Sequence, residues 1–193
     1  MSLIAKEIEL FPTYVYIIED KNYKQYKKNL VSWLQKRAEI KESITRSNVG
    51  GYHSEGNFWM DFNQHEYCAV LDNMLKTLIG NNLQRSDLQN MYFQIINSWY
   101  NINNKNQFNK LHCHPGSQLS AVFWVQTPEN CGDFVFYNPN QYTQHENIKQ
   151  RTIHIKPEEG KLLMFPSCLM HEVLPNKSNQ QRISIAINLK AFS

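Results

Sequence analysis

The chain has 193 residues, 41% of them hydrophobic and 12% aromatic, enough for one core of ordinary size and too apolar for a disordered chain. A formal charge of +3, with no concentrated run of Lys or Arg, argues against a nucleic-acid groove. No apolar run approaches the roughly 20 residues that cross a bilayer, the N-terminus from Met1 to Glu7 lacks signal-peptide architecture, and the four cysteines (Cys68, Cys113, Cys131, Cys168) form no C-x-x-C pair or disulfide framework, so a cytoplasmic, reducing compartment is expected.

Glu9 to Ile18 is β-branched and aromatic and reads as a strand, at a sheet edge because Pro12 cannot donate to a ladder. Asp20 is positioned to cap a following helix in which Tyr23, Tyr26, Leu30, Trp33 and Leu34 share a face. Its lysines, the densest basic stretch of the chain, form the solvated face. Ser47 to Ser54 reads as a loop in which Gly50-Gly51 permits a close backbone approach and His53 is a surface residue. A second helix places Tyr67, Val70, Leu71, Met74, Leu75 and Leu78 on one stripe and ends at Gly80-Asn81-Asn82.

From Asp87 the period becomes extended. Strands are predicted at Met91 to Tyr100, Asn109 to His114, Leu119 to Gln126, Asp133 to Tyr137, Thr152 to Lys156, Lys161 to Phe165, His171 to Leu174 and Arg182 to Leu189, separated by turn formers such as Asn101 to Asn106. Short strands at roughly ten-residue spacing predict a mainly β double-sheet jelly roll with flanking helices. The expected organisation is a single domain over 1–193, with 1–86 as helical and strand support and 87–193 as the jelly-roll core.

His112 and His114 stand at i and i+2, where an extended segment projects side chains from one face. His171 joins them if its strand packs alongside. Further on, Ile183, Ile185, Ile187 and Leu189 share one face of the last strand, and Arg182, Ser184, Ala186 and Asn188 share the other. An arginine on an inner β face beside clustered histidines needs a resident anion. Neutral imidazoles suit iron, zinc, copper or nickel, whereas magnesium and calcium prefer oxygen. Three of them leave coordination positions open, as a ferrous ion chelated by a 2-oxo acid requires, with Arg182 and Ser184 taking the far carboxylate. Trp124 lies on the face of Ser120, and both are candidate walls of that cosubstrate pocket. Asp133 is a reserve carboxylate ligand; Arg182 paired with Glu172 is the bland alternative. Cys113 is expected on the opposite face as a small buried hydrophobe, and His145 and His154 as surface residues.

Several segments together resemble the 2-oxoglutarate and Fe(II)-dependent oxygenases, in particular a small group found in phages and marine bacteria. They are Ser47 to Ser54, His112 to Ser117 running on to Val125, Gly132 to Pro139, Gly160 to His171, and Arg182 to Ile185. The resemblance spans Phe11 to Leu189. It implies a double-stranded β-helix of the cupin-like kind, an enzyme using Fe(II), 2-oxoglutarate and O2, and succinate and CO2 as coproducts of a hydroxylation, peptidyl proline being one substrate of similar folds. In that superfamily the metal is held by His-x-Asp or His-x-Glu and a distal histidine. His112 and His171 match the histidines, and His114 stands in the carboxylate position, as third ligand or beside a two-histidine centre. Replacing a carboxylate by imidazole removes a negative charge and raises the expected redox potential. Two rivals stand beside this reading: a non-catalytic jelly-roll binding module, and a three-histidine cupin-type metalloenzyme that uses no 2-oxoglutarate. The expected partner is a small molecule or peptide, with neither nucleic acid nor membrane; the oligomeric state, homodimer included, is open.

Overall fold

A computed structural model describes residues 12–83, 91–139 and 151–192. Its elements, in chain order, are β1 (Tyr16–Glu19), α1 (Lys27–Ile40), β2 (Asn48–Val49), β3 (Tyr52–His53), α2 (Phe58–Phe62), α3 (Cys68–Leu83), β4 (Tyr92–Asn103), β5 (Phe108–His112), β6 (Leu119–Gln126), β7 (Phe134–Tyr137), β8 (Thr152–Ile155), β9 (Lys161–Pro166), β10 (His171–Val173) and β11 (Arg182–Phe192). Two antiparallel sheets face each other, ordered β1-β9-β6-β11-β4-β3 and β2-β5-β10-β7-β8. Apart from β8, which pairs with the preceding β7, every strand of the second half pairs with one distant in sequence, which is the jelly roll expected from the strand spacing. No helix among the described residues is long and apolar enough to cross a membrane.

The six-stranded sheet is covered on both faces, so β6 is buried almost end to end and reads as a continuous apolar run rather than an alternation. On one side, Ile183, Ile185, Ile187 and Leu189 pack with Phe123, Leu162 and Met164 against the helices, chiefly through Tyr23, Leu30, Leu34, Phe62, Tyr67 and Leu71. On the other, Val122, Trp124, Leu163 and Phe165 meet Phe134, Phe136 and Leu169 across the roll. Tyr23 ties the helical layer to the sheet: its hydroxyl donates to Val125 O at 2.7 Å, and its ring meets Phe123 edge-on.

Several boundaries differ from the sequence reading. β1 is an edge strand as expected but begins only at Tyr16; residues 12–15 lie outside it and 9–11 outside the described residues. Asp20 does not cap α1, whose N-cap is Tyr26; its Oδ1 accepts Asn22 N–H at 2.8 Å, just ahead of the 3-10 turn Tyr23–Gln25. α3 runs through Gly80 to Leu83, since nothing crowds that glycine and only its lost helix propensity opposes continuation. Asn101 to Asn103 are strand, not turn, because β11 pairs with them residue by residue. The loop at Ser47 to Ser54 contains β2 and β3, which belong to different sheets, so the Gly50-Gly51 turn crosses from one sheet to the other. Gly51 has φ +71, and a Cβ there would lie 2.8 Å from Asn103 Nδ2, so the close approach is onto Asn103.

Candidate metal centre

β5 and β10 are neighbours in the five-stranded sheet, and His112 and His171 are direct register partners. β5 ends at His112. His114 lies beyond it in the turn made by Pro115 and Gly116, its N–H donating to Ser167 O at 2.9 Å. The strand expected to run to His114 therefore stops short, yet the turn keeps both imidazoles on one spot. Ring centroids are 4.3 Å apart for His112–His171, and 5.0 Å for both His112–His114 and His114–His171. One potential donor atom from each ring lies within 4.8 Å of the others.

Hydrogen bonding selects which nitrogen is free. His112 Nδ1 donates to Lys110 O at 2.6 Å and His171 Nδ1 to Leu169 O at 2.8 Å, so the unprotonated nitrogen of each is Nε2. Burial disfavours the charged imidazole: it lowers His112, and with the charge of His112 lowers His114 to about 4 and His171 to about 3. At neutral pH the cluster is three neutral electron-pair donors. That set fits iron, zinc, copper or nickel and does not suit magnesium or calcium.

The histidines open onto a cavity that runs between the sheets to Arg182. Ser184, Ala186 and Asn188 line it along β11, as the alternation of that strand predicts, and Trp124 forms part of the wall. Arg182 is 2% exposed, and burial lowers its guanidinium to about 10. Its Nη1 donates to Cys131 O at 2.5 Å and Leu174 O at 2.7 Å, while Nη2 is buried without a partner among the described residues. A buried guanidinium with an unspent N–H pair is incomplete without an acceptor. Among the described residues it forms no ion pair with a carboxylate, and no acidic residue lines the cavity. The residues thus fit a metal at one end and the far carboxylate of a keto acid at the other.

Other expectations fare differently. Ser120 does not line the cavity; it is buried behind it, bonded to Ser167 and Asn188. Asp133 is no ligand: it faces His154 at 3.2 Å near the surface. Glu172 does not pair with Arg182 and instead accepts the Tyr137 hydroxyl at 2.6 Å. Cys113 is half-buried rather than buried. His154 is exposed as expected, and His145 lies outside the described residues. His53 is not a surface residue: it is 4% exposed, with its ring stacked on Trp99 at 9° and 5.5 Å. Trp99 in turn packs on His114 at 5.4 Å. Trp99, core or pocket wall by the sequence, lines the cavity, whereas sequence reasoning missed Asn101 and Asn109. The period-2 alternation of β4 could have found Asn101, had the asparagines not been read as turn formers.

Residues 97–188 match the model of a family described as "Putative 2OG-Fe(II) oxygenase". No curated protein sequence matches the chain. Among solved structures, a Pseudomonas putida prolyl-4-hydroxylase is similar over 94% of each chain, with 14% identity and a TM-score of 0.66. HygX from Streptomyces hygroscopicus, with nickel and 2-oxoglutarate bound, is similar over 92% of this chain and 83% of its own, at 9% identity and TM-score 0.63. The viral collagen prolyl hydroxylase of Paramecium Bursaria Chlorella virus-1, as its 2-oxoglutarate complex, is similar over 91% of this chain and 95% of its own, at 14% identity and TM-score 0.58. At these identities the likeness is one of fold.

Proposed function

We propose that the chain, whose residues 97–188 match the model of the 2OG-Fe(II) oxygenases, is an enzyme using Fe(II), 2-oxoglutarate and dioxygen, and that it hydroxylates a C–H bond of a peptide, with a prolyl residue as the leading substrate. The balanced reaction is R–H + 2-oxoglutarate + O2 giving R–OH + succinate + CO2. His112, His114 and His171 hold the metal in this reading, Arg182 and Ser184 hold the far carboxylate of 2-oxoglutarate, and Trp124 walls its carbon chain. Fe(II), when bound, supplies the dioxygen chemistry. The protein supplies positions, dryness and charge.

The unspent Nη2 of Arg182 carries the reading. Three clustered histidines alone would serve a metalloenzyme with no keto acid, but such an enzyme leaves the buried guanidinium without an anion. Charge points the same way. With no acidic residue among the described residues lining the cavity, a metal dication and Arg182 call for a dianionic guest, and 2-oxoglutarate is one. The prolyl preference leans on the two prolyl hydroxylases of similar fold, one covering nearly the whole chain.

The test is succinate release from 2-oxoglutarate with Fe(II) in air, with and without a proline-rich peptide, in wild type and in His171→Ala and Arg182→Ala. Peptide-stimulated succinate and a mass gain of one oxygen on the peptide are expected in wild type only. Wild-type protein that neither turns over nor binds 2-oxoglutarate in a metal-dependent way would hand the site to the binding-module reading.

A further inference from the structure

Ser167, in the turn between β9 and β10, ties the histidine end of the cavity together. Its N–H donates to Gln118 O at 3.0 Å, its carbonyl accepts the His114 N–H at 2.9 Å, and its Oγ lies 2.8 Å from Ser120 Oγ. Ser120 Oγ donates in turn to Asn188 Oδ1 at 2.7 Å. A hydroxyl has one hydrogen, so with that of Ser120 spent on Asn188, Ser167 is the donor to Ser120. All three side chains are at most 4% exposed. The result is an ordered relay, Ser167 to Ser120 to Asn188, ending on the carboxamide oxygen.

That leaves the Nδ2 of Asn188, with its two N–H donors, outside the relay, on a side chain that lines the cavity with His114 and His171. Along the inward row of β11, Arg182 is the first residue and Asn188 the last, and Asn188 pairs with Ser120 at the start of β6, beside the histidine turn. The cavity therefore has a hydrogen-bond donor at each end, a guanidinium in its depth and a carboxamide beside the imidazoles.

We propose that Asn188 Nδ2 donates to the oxygens of the keto-acid end of the 2-oxo acid, and that Ser120 and Ser167 are positioning residues that fix which atom of the amide faces that ligand. This rests on the cosubstrate reading above. The division of labour is chemical: the far carboxylate meets a cation, while the keto-acid end, whose charge a metal would balance, needs only neutral donors.

The experiment measures binding, not turnover, on full-length protein loaded with Co(II), using 2-oxoglutarate and pyruvate as probes. Pyruvate keeps the keto-acid end and lacks the far carboxylate. Asn188→Asp keeps an oxygen for Ser120 and replaces the donor by a like charge. It is expected to weaken both acids by about tenfold or more without loss of Co(II) affinity or of the melting transition, whereas Arg182→Lys weakens 2-oxoglutarate alone. Ser120→Ala is expected to weaken both acids in the wild-type background and to add nothing in an Asn188→Ala background. Asn188→Asp that binds both acids like wild type, or that loses only 2-oxoglutarate, overturns the assignment. Wild type that binds Co(II) but neither acid overturns the cosubstrate reading itself.

Discussion

His112 and His171 face each other across the β5–β10 ladder, ring centroids 4.3 Å apart, each with Nδ1 turned back onto a carbonyl of its own chain. Two backbone acceptors thereby fix two tautomers, and both free electron pairs sit on Nε2. The geometry packs three neutral imidazoles together, two of them with their N–H spent on carbonyls, a set that could hold a metal ion.

Metal binding to this cluster should appear as stability. Because the donors are held only in the folded state, a ligand at 100 times its Kd adds about 2.7 kcal/mol. For a chain of this size that is roughly 5 to 10 °C in Tm. Co(II) or Ni(II) added to chelator-treated protein is expected to raise the melting temperature by that order, and His171→Ala is expected to abolish the rise. Magnesium, which avoids imidazole, should leave it unmoved. An equal rise in the variant would place the metal elsewhere.

Arg182 has two jobs on different nitrogens. Nη1 satisfies Cys131 O and Leu174 O, and Nη2, without a partner among the described residues, is the nitrogen that the proposed function assigns to the guest. Arg182→Ala orphans two carbonyls at about 1–3 kcal/mol each, so lost activity in that variant confounds folding with binding. Arg182→Lys keeps the charge but cannot reach both carbonyls and a carboxylate from one ammonium. It is expected to fold with a lowered urea midpoint and to bind 2-oxoglutarate at least about tenfold more weakly. Calorimetry on the metal-loaded variant checks this; unchanged affinity would show that Nη2 has no part in the cosubstrate.

The inward row of β11 was legible from sequence because alternation is a property of any half-buried strand, and Arg182, Ser184, Ala186 and Asn188 keep it without a break. The partnership of His171 with the histidine pair was legible only on the condition that its strand packed alongside, since no local pattern says that β10 pairs with β5. His53 was illegible for a different reason. Its loop has the composition of a turn, and only the two-residue strands β2 and β3, made by pairing with distant strands, bury it under Trp99. Asn101 and Asn103 were misread likewise, as turn propensity yielded to a ladder with Ser184 and Arg182. Ser120 was placed on the correct face but one layer too far forward, because a strand's period gives direction and not depth.

Acid should destabilise the metal-free protein. His114 and His171 are held down at about 4 and about 3 in the fold, against about 6.5 unfolded. Above that value both states carry neutral imidazoles and these residues add no slope. Below it the unfolded chain takes up protons that the folded chain refuses, so stability falls as pH drops towards the folded values. Urea midpoints at pH 7.5, 6.0 and 5.0 are expected to fall in that order. His171→Asn, which removes one such group, should fall less steeply by about one proton. Parallel curves for the two proteins would deny His171 this role.

His114 differs from its two neighbours in what holds it. Its ring makes no hydrogen bond with the described residues; its backbone is pinned to Ser167 O, and its imidazole rests on Trp99, which lies flat on the buried ring of His53. Packing replaces hydrogen bonding as the orienting force, so Trp99 should matter to a metal it does not touch. Outer contacts that orient a ligand typically govern 10- to 100-fold in metal affinity. Trp99→Ala, which removes the wall and leaves a void beside His114, is expected to weaken Co(II) binding by roughly tenfold, with Trp99→Phe recovering part of the loss. His112→Ala and His171→Ala should lose far more, because they delete donors instead of loosening one. The comparison that decides the matter is Trp99→Ala in a His114→Ala background. If Trp99 acts through the orientation of His114, the second substitution costs nothing further there. A full additional loss would mean that Trp99 supports the site by some route that bypasses His114.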